Sequence, residues 1–86
     1  EVLKMTINLK RLKAERLANG LNQEEMAKRM GWKSRTPYAK RENGLVTIGA
    51  DELVQMAEIL GYSIDELRIF FNPSVPKREL KEKVSS

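Results

Sequence analysis

The chain is 86 residues long, 41% apolar and 33% charged, with 5 Gly, 3 Pro and neither Cys nor His, which suits one small domain and excludes a second core, a disulfide framework, thiolate chemistry and the usual zinc sites. Its formal net charge of +4 is unevenly spread: residues 1–44 hold eleven Lys or Arg against five acids (+6), residues 45–72 come to −4, and residues 73–86 to +2. A basic half beside an acidic half is drawn to a polyanion, nucleic acid first among them, although a solvated lysine-rich surface has the same composition.

No stretch approaches the roughly 18 consecutive apolar residues of a membrane span, and residues 1–10 lack an apolar run of signal-peptide length, so no membrane association and a cytoplasmic location are expected. The missing Cys agrees with a reducing compartment. Residues 1–6 read as an N-terminal arm and 7–72 as the folded domain. Residues 73–86 read as a charged tail in which Leu80 and Val84 make an apolar i, i+4 pair.

Within the domain one punctuation recurs: a cap residue, a run of helix formers, then Gly just past the end. It predicts five short helices and an all-α fold. The first, residues 9–19, stops at Gly20 with Leu9, Leu12 and Leu17 inward. The second opens with Asn22 as cap and Glu25 three positions on, a capping-box pair, and runs to Met30 before Gly31, with Met26, Ala27 and Met30 inward. The third takes Thr36 as cap and Pro37 in its first turn, where a missing N–H costs nothing, and ends at Asn43 before Gly44. In the fourth, residues 50–60, Leu53, Met56, Ala57 and Leu60 fall at i, i+3, i+4, i+7, the spacing of one buried stripe. The fifth has Ser63 as cap and Glu66 at the third position, turns Ile64, Leu67 and Phe70 or Phe71 inward, and ends at Asn72-Pro73. No alternating β-branched run longer than three residues occurs, so no sheet is expected.

Helices two and three are joined by Gly31-Trp32-Lys33-Ser34-Arg35, the layout of a helix-turn-helix, whose second helix enters the DNA major groove. Such a turn needs a Gly that tolerates positive φ, an apolar plug beside it, and small polar or basic residues leading into the next helix. Gly31, Trp32 and Ser34-Arg35-Thr36 supply them.

At these residues the sequence resembles the phage-repressor-type helix-turn-helix domains related to Cro and the lambda and 434 repressors, the xenobiotic-response-element family. The matching stretches are Gly20-Leu21-Asn22-Gln23-Glu24-Glu25-Met26-Ala27, Met30-Gly31-Trp32, Tyr38-Ala39-Lys40-Arg41-Glu42-Asn43-Gly44, and Asp51-Glu52-Leu53 through Leu60-Gly61-Tyr62-Ser63-Ile64-Asp65-Glu66-Leu67. They cover about two thirds of the chain in the family's order, and four stretches in register carry a specificity that none has alone.

The resemblance implies a compact five-helix bundle whose third helix reads bases in double-stranded DNA. Carried over by position, Ser34, Arg35, Thr36 and Lys40 are expected at base edges, with Arg35 foremost through a forked contact to guanine. Gln23 is expected at phosphate beside the helix N-terminus, with Asn22, Lys33, Arg41 and Asn43 as further phosphate contacts. Arg16 and Glu42 match a structural ion pair. Tyr38 matches a position usually held by an inward aliphatic, so its ring is expected partly buried with the hydroxyl outward. The turn is one residue longer than in the shortest family members, and Pro37 stands where a small residue is usual. After Gly44 the run Leu45-Val46-Thr47-Ile48-Gly49 is uncharged where the family often has a basic cluster, which leaves Lys33, Lys40, Arg41 or the arm to hold the backbone and predicts a weaker nonspecific term.

Several residues have a plainer reading beside the functional one. Trp32 suits a plug beside the turn better than a base stack, and Met26, Met30 and Met56 suit core filler. Lys10, Arg11 and Lys13 form a solvated face or reach phosphate. Ile69-Phe70-Phe71 either closes the bundle or exposes a surface for a second subunit or partner.

The function expected is a sequence-specific transcriptional regulator, bacterial or phage-encoded and nucleoid-associated. It acts as a repressor and binds as a homodimer to an inverted repeat, because one short helix contacts few base pairs. The alternative is an antitoxin or other interaction module whose main role is holding a partner protein, such as a toxin or anti-repressor. No enzyme activity, cofactor or metal is expected. Without His or Cys, catalysis would need paired acids or a Lys in a cleft, and the acids here are explained by caps and solvent faces.

Overall fold

In chain order the protein forms β1 (Lys4–Ile7), α1 (Leu9–Ala18), α2 (Gln23–Arg29), α3 (Thr36–Glu42), α4 (Ala50–Ile59), a 3-10 helix (Ile64–Phe70) and β2 (Phe71–Ser74). The structure, a computed structural model, describes residues 4–74, with side chains from Thr6 to Asn72. The Leu80 and Val84 pair lies outside the described residues.

Side-chain caps start most of the helices. Asn8 Oδ1 accepts from the Arg11 N–H at 3.0 Å to start α1. Asn22 and Glu25 close a reciprocal box on α2, at 2.7 Å from the Glu25 N–H to Asn22 Oδ1 and 2.9 Å from the Asn22 N–H to Glu25 Oε1. Glu52 reaches back to the Gly49 N–H at 3.0 Å to hold the start of α4. Glu66 accepts from the Ser63 N–H at 2.8 Å ahead of the 3-10 helix. Each such bond satisfies a donor that the first helical turn leaves unpaired. The third helix differs from expectation: Thr36 is its first helical residue, and Arg35 holds the cap position in the αR region with no side-chain bond.

Three other expectations are corrected. A sheet does exist, because β1 and β2 pair antiparallel in the register Lys4 with Ser74 through Ile7 with Phe71. The fifth helix is 3-10 rather than α. Its wound segment ends at Phe70, since Phe71 turns extended to join β2 and the Asn8 N–H takes the Phe70 carbonyl at 2.7 Å. Leu17 and Ile64, expected inward, are 57% and 64% exposed.

The core gathers the α4 stripe of Leu53, Met56 and Ala57 with Leu12, Met26, Tyr38 and Phe70. Phe70 is fully buried, with its ring edge-on to Tyr62 at 5.6 Å between centroids. It closes the bundle and is therefore not a partner surface, while Ile69 and Phe71 are half-buried against the core. Outside the core, Tyr62 donates from its hydroxyl to Glu15 at 2.8 Å, and Arg11 holds the same carboxylate at 2.8 Å. These bonds tie α1 to the turn before the 3-10 helix. The Tyr62 bond first, then Arg11, hold Glu15 below the usual carboxylate range.

Candidate nucleic-acid interface

The α2–α3 turn owes its shape to Gly31, at φ +91°, a region costly for residues with a Cβ. Trp32 then donates its N–H to the Ala27 carbonyl at 2.9 Å, and its half-buried ring packs against the core. Beyond the turn α3 is divided in two. Tyr38, Ala39 and Glu42 face inward, while Thr36 and Lys40 lie about 160° around the helix from Tyr38, at ~100° per residue. Ser34, Arg35, Thr36 and Lys40, the expected base readers, are all exposed and share this end and face of α3.

The inward side is bolted to α1 through one carboxylate. Glu42 Oε2 accepts from Arg16 Nε at 2.8 Å and from the Tyr38 hydroxyl at 2.7 Å; its Oε1 accepts from Arg16 Nη2 at 3.0 Å and from Gln23 Nε2 at 2.8 Å. These four donors match the lone-pair sites of an ionised carboxylate. Arg16 Nη1 adds a bond to the Leu21 carbonyl at 2.7 Å, which ties the α1–α2 loop to the same centre. Burial by itself raises the Glu42 carboxyl, but the bonds from Arg16, Tyr38 and Gln23 outweigh it and hold the group below the usual range. Burial first, then the Glu42 bond and charge, push the Tyr38 hydroxyl well up. Tyr38 is fully buried, so its hydroxyl does not point outward. The position demands an apolar ring, and a hydroxyl four residues before Glu42 finds its acceptor inside the same helix.

Gln23 links this buried centre to the exposed face. Its Nε2 is committed to Glu42, and its Oε1 accepts from Arg35 Nη1 at 2.6 Å. Only this orientation of the amide suits its neighbours, since a carboxylate can only accept and a guanidinium can only donate. A polar cleft opens beside it, lined by Lys13, Arg16, Asn22, Gln23, Glu24 and Arg35. Of the α1 bases, Arg11 is engaged by Glu15, whereas exposed Lys13 faces this cleft.

The other expected phosphate contacts are placed unequally. Lys33 and Asn43 are exposed, and Asn22 is exposed with Oδ1 spent on its cap. Arg41 is differently employed. Its Nε and Nη2 meet Glu52 Oε1 and Oε2 at 2.9 and 3.1 Å, its Nη1 donates to the Pro37 carbonyl at 2.8 Å, and its guanidinium lies 4.6 Å from the centroid of the Trp32 ring. Fork and face are both occupied within the protein, which makes Arg41 a brace between α3 and α4. The Arg41 bond, outweighing burial, keeps Glu52 below the usual range.

Sequence reasoning missed the Gln23–Arg35 contact and the Arg41–Glu52 brace. Both join residues more than ten positions apart, and nothing in local spacing signals them. The Tyr38–Glu42 bond had a signal, the i, i+4 spacing on a helix.

Among the described residues no helix is long and apolar enough to cross a membrane. Searches of curated proteins and of solved structures return no significant match. Residues 12–67, from α1 through the 3-10 helix, match the family model of the Cro and C1-type helix-turn-helix. The match spans most of the folded domain and more than half of the chain, so this protein belongs to that helix-turn-helix family and is a DNA-binding regulator.

Proposed function

We propose that the protein is a cytoplasmic repressor that reads the major groove of double-stranded DNA with α3 and binds an inverted repeat as a homodimer. The observation that carries this reading is the division of α3, whose inner face is fixed by Glu42 while its outer face presents Ser34, Arg35, Thr36 and Lys40 to solvent. Arg35 is the principal base reader. Tethered through one Nη, its guanidinium keeps N–H groups for guanine O6 and N7. Lys33, Asn22 and Asn43 take phosphate oxygens, and Lys13 adds a charge across the cleft. Gln23 orients Arg35 and meets phosphate only at the expense of its present bonds, and Arg41 positions α3 rather than touching DNA. Two-fold symmetry sets two reading helices about 34–36 Å apart on one duplex face. Regulation then follows from occupancy of the operator, with no chemical step.

The alternative of an antitoxin holding its partner at Ile69, Phe70 and Phe71 is not favoured, because the central side chain of that run is spent on the core.

Selection of duplexes from a random pool at about 0.15 M salt tests the reading, since backbone affinity depends on ionic strength. An enriched inverted repeat with half-sites one helical turn apart is expected. A retained pool indistinguishable from the input rules out base-specific recognition by this chain.

A further inference from the structure

The β1–β2 ribbon has two outer edges, and their hydrogen-bonding capacities differ. Because the Asn8 N–H bonds the Phe70 carbonyl, Asn8 with Phe70 is a hydrogen-bonded pair. Such pairs alternate in an antiparallel ladder, so Thr6 with Asn72 and Lys4 with Ser74 bond inward. The backbone groups of Met5, Ile7, Phe71 and Pro73 therefore point outward.

On the β2 side this edge has no donor to offer. Pro73 has no N–H, and the Phe71 N–H is already given to the Arg68 carbonyl. On the β1 side, where the backbone groups of Met5 and Ile7 point outward, no third strand joins the sheet among the described residues. Among the described residues, one edge of the ribbon has no donor left and the other carries no paired strand.

We propose that the open edge of β1 is the seam between two copies of this chain, which pair β1 to β1 antiparallel into a four-stranded sheet. The edge is complementary to itself in partial charge. A dyad through Thr6 sets Met5 against Ile7 of the second copy, and Ile7 against its Met5, so that each N–H meets a carbonyl and four bonds form. Four bonds alone make a weak dimer, and the surroundings of β1 supply apolar area. Ile7 and Leu9 line a groove with Val46, Ile48, Leu53 and Phe71, and Leu45, beside it in sequence, is 75% exposed. A strand from another protein can meet the same edge, but a second copy repeats the pairing by symmetry and is what the proposed operator binding requires. The inference rests on that dimeric reading and locates its interface.

Two variants of the full chain test it. The protein has no Cys, so Thr6→Cys introduces a single thiol. At the dyad its Cα lies about 4.5 Å from its counterpart, within the range for a disulfide. Mild oxidation is expected to yield a covalently cross-linked dimer on a denaturing gel, with Ala18→Cys giving no cross-linked species. Met5→Pro removes the outward donor and leaves the bonds of Lys4 and Thr6 to β2 intact, as Pro73 does opposite. It should raise the dimer dissociation constant by about tenfold or more, read by sedimentation, with an unchanged circular dichroism spectrum. Both results are required. If the wild type dimerises and either variant fails its expectation, the seam is overturned and the dimeric regulator stands. If the wild type stays monomeric both free and on the selected inverted repeat, the dimeric reading itself falls, and the seam with it.

Discussion

Arg16 and Glu42 lie 26 residues apart in sequence and meet through two parallel hydrogen bonds of 2.8 and 3.0 Å, with side chains only 5% and 2% exposed. A pair this deeply buried is a stringent constraint, because removing one member leaves the other charged and unpaired. Glu42→Ala is expected to destabilise the domain by about 3–5 kcal/mol in urea unfolding. Replacing both residues with apolar groups of similar volume should cost much less, and a double mutant as unstable as the single one contradicts the assignment.

The same network sets the response to acid and base. Glu42 titrates below its unfolded value of about 4.3, so its contribution is complete above that pH and is lost as pH falls through the lower folded value. Glu15 and Glu52 share this sign. Tm is expected to decline below about pH 4.3, and Glu42→Gln to flatten part of that decline. Tyr38 has the opposite sign: raised above its unfolded value of about 10, it contributes below that pH and its contribution fades as pH rises further. Tyr38→Phe should flatten the alkaline limb, as thermal melts from pH 8 to 12 would record.

Gln23 and Arg35 separate positioning from reading. Arg35→Ala should cost about 1–3 kcal/mol of discrimination at a single base pair of each half-site. Gln23→Ala frees the guanidinium without removing it, and should erode the same preference by less than about tenfold. Competition binding against single-position operator variants distinguishes the roles. Weakening spread equally over all sequences would assign Gln23 to phosphate.

Lys33 and Arg41 have the same charge and different employment. Lys33→Ala should lower the slope of log K against log salt by about 1. Arg41→Ala should leave that slope unchanged and cost about 1 kcal/mol of stability through the lost Glu52 bridge and Trp32 stacking. Salt titration of each variant decides the point.

Phe70→Ala should destabilise the bundle by about 3–5 kcal/mol, the range for emptying a buried aromatic site. A melting temperature near that of the wild type would mean that the side chain serves a surface instead.

The helices were legible because their signals are local. Asn22 with Glu25, Gly31 after Met30, and the Leu53–Met56–Ala57–Leu60 stripe each lie within one or two turns of chain. The exposed start of α3 followed from the turn in the same way. What escaped depends on partners distant in sequence. β1 has only four residues, and β2 contains Asn72-Pro73, which reads as a terminator until the strand opposite is known. Leu17 looked inward by composition, but its side chain falls outside the stripe that Leu12 and Arg16 define. The inward turn of the Tyr38 hydroxyl required knowing that Glu42 is buried, which charge alone argues against.

The ribbon also bears on the order in which the molecule assembles. Joining residues 4–7 to 71–74 closes nearly the whole described chain into one loop, and the entropy of that closure must be met for only a few backbone bonds. The helices make their contacts over shorter separations and should form first, with the strands zipping together last. In native-state hydrogen exchange the Thr6 amide should therefore open well before those of α1 and α4. A second copy bound along β1 would hold shut the element a single copy holds least firmly, so that association completes a fold the monomer leaves prone to fraying.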